Sequence, residues 1–197
     1  STIIEVFSKC LYAFGLPFFC RLLYSVVPRK DGKFWTAVIG VSCYFLFGMT
    51  IFTNDMFNVT LDLLWFTALM LVAFKGRALP KLASVAIFYP LVISLNFLIQ
   101  DLLGVVYLSL DATLFASIFC YLSDAFLHIL FWYVLYRLFH QRLYDFSRLF
   151  DQNTWILLGT VCLASLVSIT TVIYYAPAQS YKIWLCALAC IITNIGS

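Results

Sequence analysis

The sequence predicts an all-α fold, a polytopic transmembrane bundle of about seven helices. Three observations support this: 64% of the 197 residues are hydrophobic, only 11% are charged, and the mean hydropathy is +0.99. A soluble domain is usually about half apolar and about a quarter charged. A chain of this size cannot bury so much apolar surface in its own core, so we expect the excess to face lipid.

Seven segments are apolar enough to be spans, since a helix needs about 20 residues to cross about 30 Å of hydrocarbon. Six are complete, at residues 4–26, 34–52, 57–74, 82–100, 113–139 and 154–175, and a seventh starts at residue 181. Helices are expected because open strands would leave backbone groups unpaired in lipid. Pro17 and Pro90 fall inside spans, where we expect them to kink the helix. Neighbouring helices can satisfy the carbonyl groups that they free.

Lysine and arginine are divided unequally between the two ends of the predicted bundle. Ten of the twelve fall at or near the first, third and fifth breaks, and only Lys9 and Lys182 fall at the other end. Cytoplasmic loops of membrane proteins are enriched in Lys and Arg. We therefore predict an outside amino terminus and, after seven crossings, a cytoplasmic carboxyl terminus. The predicted location is the plasma membrane.

The chain contains no recognisable catalytic or metal-binding motif. A Gly-rich phosphate loop, HExxH and GxSxG are all missing. The seven cysteines lie in apolar stretches without a CxxC pair, which is typical of small buried apolar residues. The positive charges are not pooled on one soluble face, so nucleic acid is not expected as a partner. The sequence predicts no catalytic residue, metal or cofactor in this chain, and the lipid bilayer as its main partner.

Four polar residues inside or near the ends of spans are candidates for binding a ligand or sensing a signal. Asp124 and His128 are four residues apart on the fifth span and therefore share a face. Asn96 lies in the outer half of the fourth span, and Asp62 lies near the outer end of the third. Such residues are costly in lipid and usually face the bundle interior, where these four could line a pocket that opens outward. The alternative is that Asp124 and His128 pair with each other or with Asn96 and only hold helices together.

Three stretches carry a resemblance to a known family. Residues 61–82 form an apolar span that ends in Lys75-Gly76-Arg77, residues 133–139 end a span in a basic run, and residues 153–169 open a span with Trp155. In these stretches, and in hydropathy over nearly its whole length, the chain resembles the membrane sensor domain of Gram-positive GHKL-type sensor histidine kinases. That group includes the accessory-gene-regulator receptor for cyclic peptides.

The resemblance implies a role in a two-component system, of the quorum-sensing kind. Residues 1–197 would be a single transmembrane sensor domain that detects an extracellular ligand, either a peptide or a small molecule. A cytoplasmic kinase domain would follow, with ATP and Mg²⁺ as its cofactors and a response regulator as its partner. The histidine kinase activity would belong to that downstream domain, and family analogy implies a homodimer.

Two other functions fit a small polytopic protein. One is the substrate-binding subunit of a small-solute transporter, and the other is a non-enzymatic membrane assembly protein. Transporter subunits of this kind usually pack their helices through small residues, whereas this chain has eight Gly against 20 Phe. The sequence that follows residue 197 in the full-length protein would discriminate among the three.

Overall fold

The computed structural model describes residues 2–48, 55–111, 113–175 and 181–196, and within these ranges the chain is helical without a β-strand. Eight helices follow one another in the chain: α1 Thr2–Tyr12, α2 Leu16–Val26, α3 Lys33–Phe47, α4 Met56–Ala73, α5 Ala78–Ser109, α6 Leu114–Leu149, α7 Gln152–Tyr175 and α8 Tyr181–Gly196. Since α1 and α2 together correspond to one predicted span, the helices form seven units. The predicted all-α helix bundle is confirmed.

Five helical segments within the described residues are long and apolar enough to cross a membrane: α1 and α2 taken together from residue 6, and α4, α5, α6 and α7. The helices α3 and α8 are also apolar but have 15 and 16 residues. Large apolar side chains are exposed along the bundle, among them Phe45, Leu64, Phe126, Leu157 and Ile192. A surface of this kind needs lipid against it. The chain is a multi-pass membrane protein.

The first predicted span is divided into two helices. The chain turns at residues 13–15, and Pro17 lies in the first turn of α2. A proline is tolerated there because the first N–H groups of a helix have no partner inside the helix. The sequence predicted that Pro17 kinks a continuous helix. In the structure Pro17 instead lies at the start of a new helix.

The helices α5 and α6 extend beyond their predicted spans. They contain 32 and 36 residues, which at about 1.5 Å per residue gives about 48 and 54 Å, against about 30 Å of hydrocarbon. The predicted breaks at 100–111 and 140–153 are therefore largely helical. Hydropathy identifies only the part of a helix that lies in hydrocarbon. The same helix can continue beyond that part through polar residues, which hydropathy assigns to a break. The predicted end of the second span at 49–52 and the predicted break at 177–180 lie outside the described residues.

The helix α5 lies at the centre of the bundle. In its most apolar window 89% of the residues are buried, against 17–39% in the other candidate spans. It packs against α2, α3, α4, α6, α7 and α8. Side chains of α5 also donate hydrogen bonds to backbone carbonyl groups of α3 and α4. These bonds are Lys81 Nζ to Leu71 O at 3.0 Å, Tyr89 OH to Val59 O at 2.5 Å, and Asn96 Nδ2 to Leu46 O at 3.3 Å.

The connections α2–α3 and α4–α5 pair with each other at the Lys/Arg-rich end. The Lys30 N–H donates to Ala73 O at 2.9 Å, and the Lys75 N–H donates to Pro28 O at 2.8 Å. The Lys75 ammonium forms an exposed ion pair with Asp31. Its hydrogen bond and its charge hold the pKa of the Asp31 carboxyl below its usual range. The two connections therefore lie at the same end of the bundle, as the charge distribution predicted.

Pro90 lies in the interior of α5, as expected from the sequence, and it leaves a carbonyl group without its helical donor. Because proline has no N–H, the Ala86 carbonyl, four residues earlier, loses its i→i−4 hydrogen bond. The side chain of Asn194 on α8 takes the place of that donor. Its Nδ2 lies 3.3 Å from Ala86 O and 2.8 Å from Ile87 O. A buried amide of the last helix thus satisfies the backbone of the central helix.

This arrangement predicts that Pro90 and Asn194 are energetically coupled. We expect Asn194→Ala to lower the free energy of unfolding by about 1–3 kcal/mol, because it leaves the buried carbonyl oxygen of Ala86 without a donor. In a Pro90→Ala background the restored N–H can reach the Ala86 carbonyl. The same Asn194→Ala change should therefore cost about 1 kcal/mol less there.

The coupling is measured by reversible unfolding, in mixed micelles, of four proteins: the parent, Asn194→Ala, Pro90→Ala and the double variant. Thr193→Ala, on the exposed neighbour of Asn194, is the control and should stay within about 0.5 kcal/mol of the parent. An equal cost of Asn194→Ala in both backgrounds would contradict the interpretation.

Candidate functional site

Three side chains from two helices, Tyr12, Asp124 and His128, form what we call the outer polar cluster, where outer means the end of the bundle away from the Lys/Arg-rich connections. On α6, His128 Nε2 lies 3.5 Å from Asp124 Oδ1. From α1, the Tyr12 hydroxyl donates a hydrogen bond to Asp124 Oδ2. His128 is 2% exposed and Asp124 is 16% exposed. The i, i+4 spacing predicted that Asp124 and His128 share a face, and the structure pairs them.

The position of Tyr12 follows from how α1 packs. This helix lies against α6, and two of its residues one turn apart, Ser8 and Tyr12, face it. The Ser8 hydroxyl donates to Tyr121 O at 3.3 Å, and the edge of the Tyr12 ring meets the His128 ring at a centroid distance of 5.1 Å. Asp124 thus has a side chain from each helix beside its carboxyl group, Tyr12 of α1 bonded to Oδ2 and His128 of α6 near Oδ1.

Below the outer polar cluster lies an aromatic layer formed by Phe19, Phe47 and Trp132, all fully buried. The rings of Phe47 and Trp132 stack with centroids 5.4 Å apart, and Phe19 meets Trp132 edge-on at 4.7 Å. Phe47 also lies 6.3 Å from the His128 ring. Within the described part of the chain, neither His128 Nδ1 nor Trp132 Nε1 has a hydrogen-bond partner. Unsatisfied buried polar atoms are rare in folded proteins and call for an explanation.

An open-sided cavity of about 360 Å³ lies beside the cluster, between the outer halves of α5 and α6. Polar and small side chains line much of it: Gln100, Leu103, Gly104, Tyr107, Ser117, Cys120, Tyr121 and Asp124. Asp124 belongs to both the cavity and the cluster, so it connects the two. A cavity of this size is at the lower end of those that hold small ligands, and its carboxylate can accept hydrogen bonds from an amine, amide or hydroxyl group.

The other two predicted residues occupy different places. Asn96 bonds to Leu46 O in the last turn of α3, next to Phe47, and so connects to the cluster through the end of that helix. Asp62 is half-buried on α4, which packs on α3, α5 and α7. Neither residue lines the cavity at Asp124. Of the four candidates, the structure brings Asp124 and His128 together and distributes Asn96 and Asp62 elsewhere in the bundle.

Sequence reasoning did not single out Tyr12, Trp184 or Asn194. Tyr12 is 112 positions from Asp124, and nothing in its local pattern indicates that partner. The Trp184 indole N–H donates to Asp101 on α5, although Trp184 alone suggests only an interfacial anchor. Asn194 could have been found, because an amide in an apolar span is costly and Pro90 predicts a carbonyl group in need of a donor.

Metal chemistry has no visible basis in the described ranges, where no three His, Cys, Asp or Glu side chains gather closely enough to hold an ion. The seven cysteines are all free thiols. What the site offers a ligand is hydrogen bonding at the Asp124 carboxyl group, which lines the cavity.

The bond from Tyr12 to Asp124 predicts a specific loss of stability. Tyr12→Phe keeps the ring but removes the donor from a partly buried carboxyl group, and should cost about 1–3 kcal/mol. Tyr133→Phe makes the same chemical change on α6 at an exposed tyrosine and should stay within about 0.5 kcal/mol of the parent. Unfolding in mixed micelles tests both, and similar losses in the two variants would show that the Tyr12 hydroxyl has no special role.

Comparison with known proteins gives no match: no protein-family model, curated protein or solved structure is similar to the chain. The described residues form a multi-pass helical membrane protein in which Asp124 connects a polar cluster on α1 and α6 with a cavity at the outer ends of α5 and α6.

Proposed function

We propose that the chain is the membrane-embedded, signal-sensing domain of a two-component sensor histidine kinase in the plasma membrane. In this proposal an extracellular peptide or small molecule places a hydrogen-bond donor beside Asp124, in the cavity between α5 and α6. The helix α8 carries the change to a cytoplasmic kinase domain after residue 197, which uses ATP and Mg²⁺. The protein acts as a homodimer and passes its signal to a response regulator.

The observation that carries this proposal is that α8 is hydrogen-bonded to α5 at two levels. Near the outer end, the Trp184 indole donates to Asp101, and near the inner end Asn194 donates to Ala86 and Ile87. Asp101 lies in the same stretch of α5 that lines the cavity. A ligand that displaces this stretch therefore acts on α8 directly. It can shift the equilibrium only by its differential affinity for the two arrangements.

A second connection runs through the aromatic layer. Phe19 touches Trp132 on α6 and meets Phe88 on α5 edge-on, with ring centroids 5.8 Å apart. Phe88 is the neighbour of Ile87, the residue whose carbonyl accepts from Asn194. Packed side chains of this kind can carry coupling between sites when they have two discrete arrangements. The aromatic layer and α8 thus contact the same segment of α5, at Phe88 and Ile87.

The end of α8 supports the proposed direction of signalling. Residues 194–196 line a cavity of about 260 Å³ together with Arg142, Phe146 and Phe150, near the end of α6. This end of the bundle also carries the paired connections with Lys30 and Lys75. In the proposal that end faces the cytoplasm, according to the charge rule for membrane loops, so α8 exits on the side where a kinase domain needs it.

Reporter fusions test this orientation. We expect green fluorescent protein fused after residue 197 to fluoresce, and alkaline phosphatase at the same position to be inactive, because the phosphatase needs an oxidising external compartment. Phosphatase fused after residue 111, in the α5–α6 connection, should be active and serves as the control. The reverse pattern at both positions would contradict the proposed topology.

Autophosphorylation of the full-length protein with and without conditioned medium tests ligand sensing. We expect the medium to change the rate. Asp124→Asn should shift the half-maximal dose about tenfold, as the loss of one hydrogen bond to a charged group implies. Asp111→Asn makes the same change at an exposed residue outside the cavity and should respond like the parent.

Two results would contradict the proposal. An active kinase that does not respond to the medium would count against ligand sensing. A full-length protein without a kinase domain after residue 197 would favour a transporter subunit or an assembly protein.

A further inference from the structure

A second cavity, of about 450 Å³, lies between α2 and α6 at the Lys/Arg-rich end. Its lining includes Arg21, Tyr24 and Ser25 from α2 and Tyr136, His140 and Tyr144 from α6; we call it the Arg–Tyr pocket. It shares no residue with the outer cavity at Asp124. Nothing in the sensor proposal uses it.

Each of the three tyrosines in the pocket has an arginine over its ring. The guanidinium carbon of Arg21 lies 5.8 Å from the centre of the Tyr136 ring, that of Arg29 lies 5.5 Å from Tyr24, and that of Arg148 lies 4.1 Å from Tyr144. These are cation–π distances. Stacking fixes the position of each guanidinium group while leaving donors of its planar fork available for an anion. Arg21 therefore lines the pocket itself, and Arg29 and Arg148 lie over two of the tyrosine rings that form its wall.

None of the three arginines forms an ion pair with an acid in the described part of the chain, although the charge of Arg29 acts on the nearby Asp31 carboxyl. Neither ion pair there involves an arginine, since Asp31 binds Lys75 and Asp124 pairs with His128. Asp145, one turn after Gln141 on α6, accepts hydrogen bonds from the Gln141 amide at 3.3 and 3.4 Å. The arginines donate instead to neutral oxygens: Arg21 to Tyr136, Arg29 to Thr36 and Arg148 to Tyr144. The pocket therefore has a surplus of positive charge.

The wall of the pocket is fixed by bonds between its two helices. Ser25 Oγ and His140 Nδ1 lie 2.5 Å apart, and the Ser147 hydroxyl donates to Ser25 O at 2.9 Å. Ser25 itself is buried. Because both helices contribute to these bonds, the tyrosines and Arg21 keep their spacing without a ligand, which lowers the cost of ordering them on binding.

The surroundings of the pocket favour a lipid as its occupant. Tyr133 lies on the same face of α6, one turn before Tyr136 and two turns before His140. Its ring packs edge-on against Phe18 of α2, with ring centroids 5.3 Å apart. Phe126, two turns before Tyr133 on α6, shares this face and is also exposed. A molecule with its anionic group in the pocket could thus lay its chains along an apolar surface. Basic pockets between helices at this level bind lipid head groups in other membrane proteins.

We propose that the Arg–Tyr pocket binds the phosphate ester of an anionic phospholipid head group. The phosphate oxygens accept hydrogen bonds from Arg21 and Arg148, and the tyrosine hydroxyls and His140 form the polar wall around them. Arg29 adds charge at the rim. The acyl chains lie against the α2–α6 surface at Phe18 and Tyr133.

Native mass spectrometry of the full-length protein with phosphatidylglycerol or phosphatidylcholine of the same acyl chains tests the proposal. We expect preferential retention of phosphatidylglycerol. Arg21→Gln and Arg148→Gln should each weaken its binding about fivefold, since one basic residue near the surface contributes about that much. Arg77→Gln removes the same charge from an exposed residue at the same end and should leave binding unchanged. Arg21→Lys keeps the charge but loses the planar fork, and should lie between the parent and Arg21→Gln.

Three outcomes would overturn the proposal. Both lipids carry the phosphate ester, but only phosphatidylglycerol has a net negative charge, so equal retention would show that the pocket does not select an anionic head group. An equal loss in Arg77→Gln would show diffuse attraction and no site. Displacement of the lipid by millimolar inorganic phosphate would identify a site for a free anion. Arg21 and Arg148 are both exposed, so the variants should fold, and an unchanged thermal midpoint in the same detergent is the check.

Discussion

Backbone carbonyl groups in hydrocarbon have no water to satisfy them, and this constraint explains why α5 is the centre of the bundle. Its own side chains Lys81, Tyr89 and Asn96 donate to carbonyl groups of α3 and α4. Within α5, the Ala86 carbonyl group has no helical donor because of Pro90, and it accepts a hydrogen bond from Asn194 of α8. These bonds join α5 to α3, α4 and α8, so a displacement of α5 changes hydrogen bonds on three other helices.

Much of the fold could be predicted because hydropathy and charge are local properties of the sequence. The apolar runs indicated seven helical units, and the grouping of Lys30 and Lys75 indicated which connections share an end. The limits of α5 and α6 could not be predicted from hydropathy, because residues such as Asp101 and His140 stay helical outside the apolar segment. Gly15 and Pro17 are local signals for the turn at 13–15, but whether such residues kink a helix or end it depends on how α1 packs against α6.

The candidate site was predicted in part for the same reason. The pairing of Asp124 with His128 follows from helical periodicity within one element. The contact with Tyr12 joins residues 112 positions apart, and the Arg–Tyr pocket joins α2 to α6 across a comparable separation. Contacts of that kind depend on tertiary packing. Asn194 is the intermediate case, since Pro90 indicates that a donor is needed but not which helix supplies it.

The bond between Asn194 and Ala86 also has a consequence for biogenesis. The two residues are 108 positions apart, so at about 5–20 residues per second the ribosome needs roughly 5–20 s to add α8 after α5. Throughout that interval Ala86 has been synthesised, but the donor for its carbonyl group has not. The nascent bundle must therefore tolerate or temporarily shield this group. The insertion of α8 completes the hydrogen bonding of the central helix α5, so a chain released before Asn194 would be a natural substrate for membrane quality control.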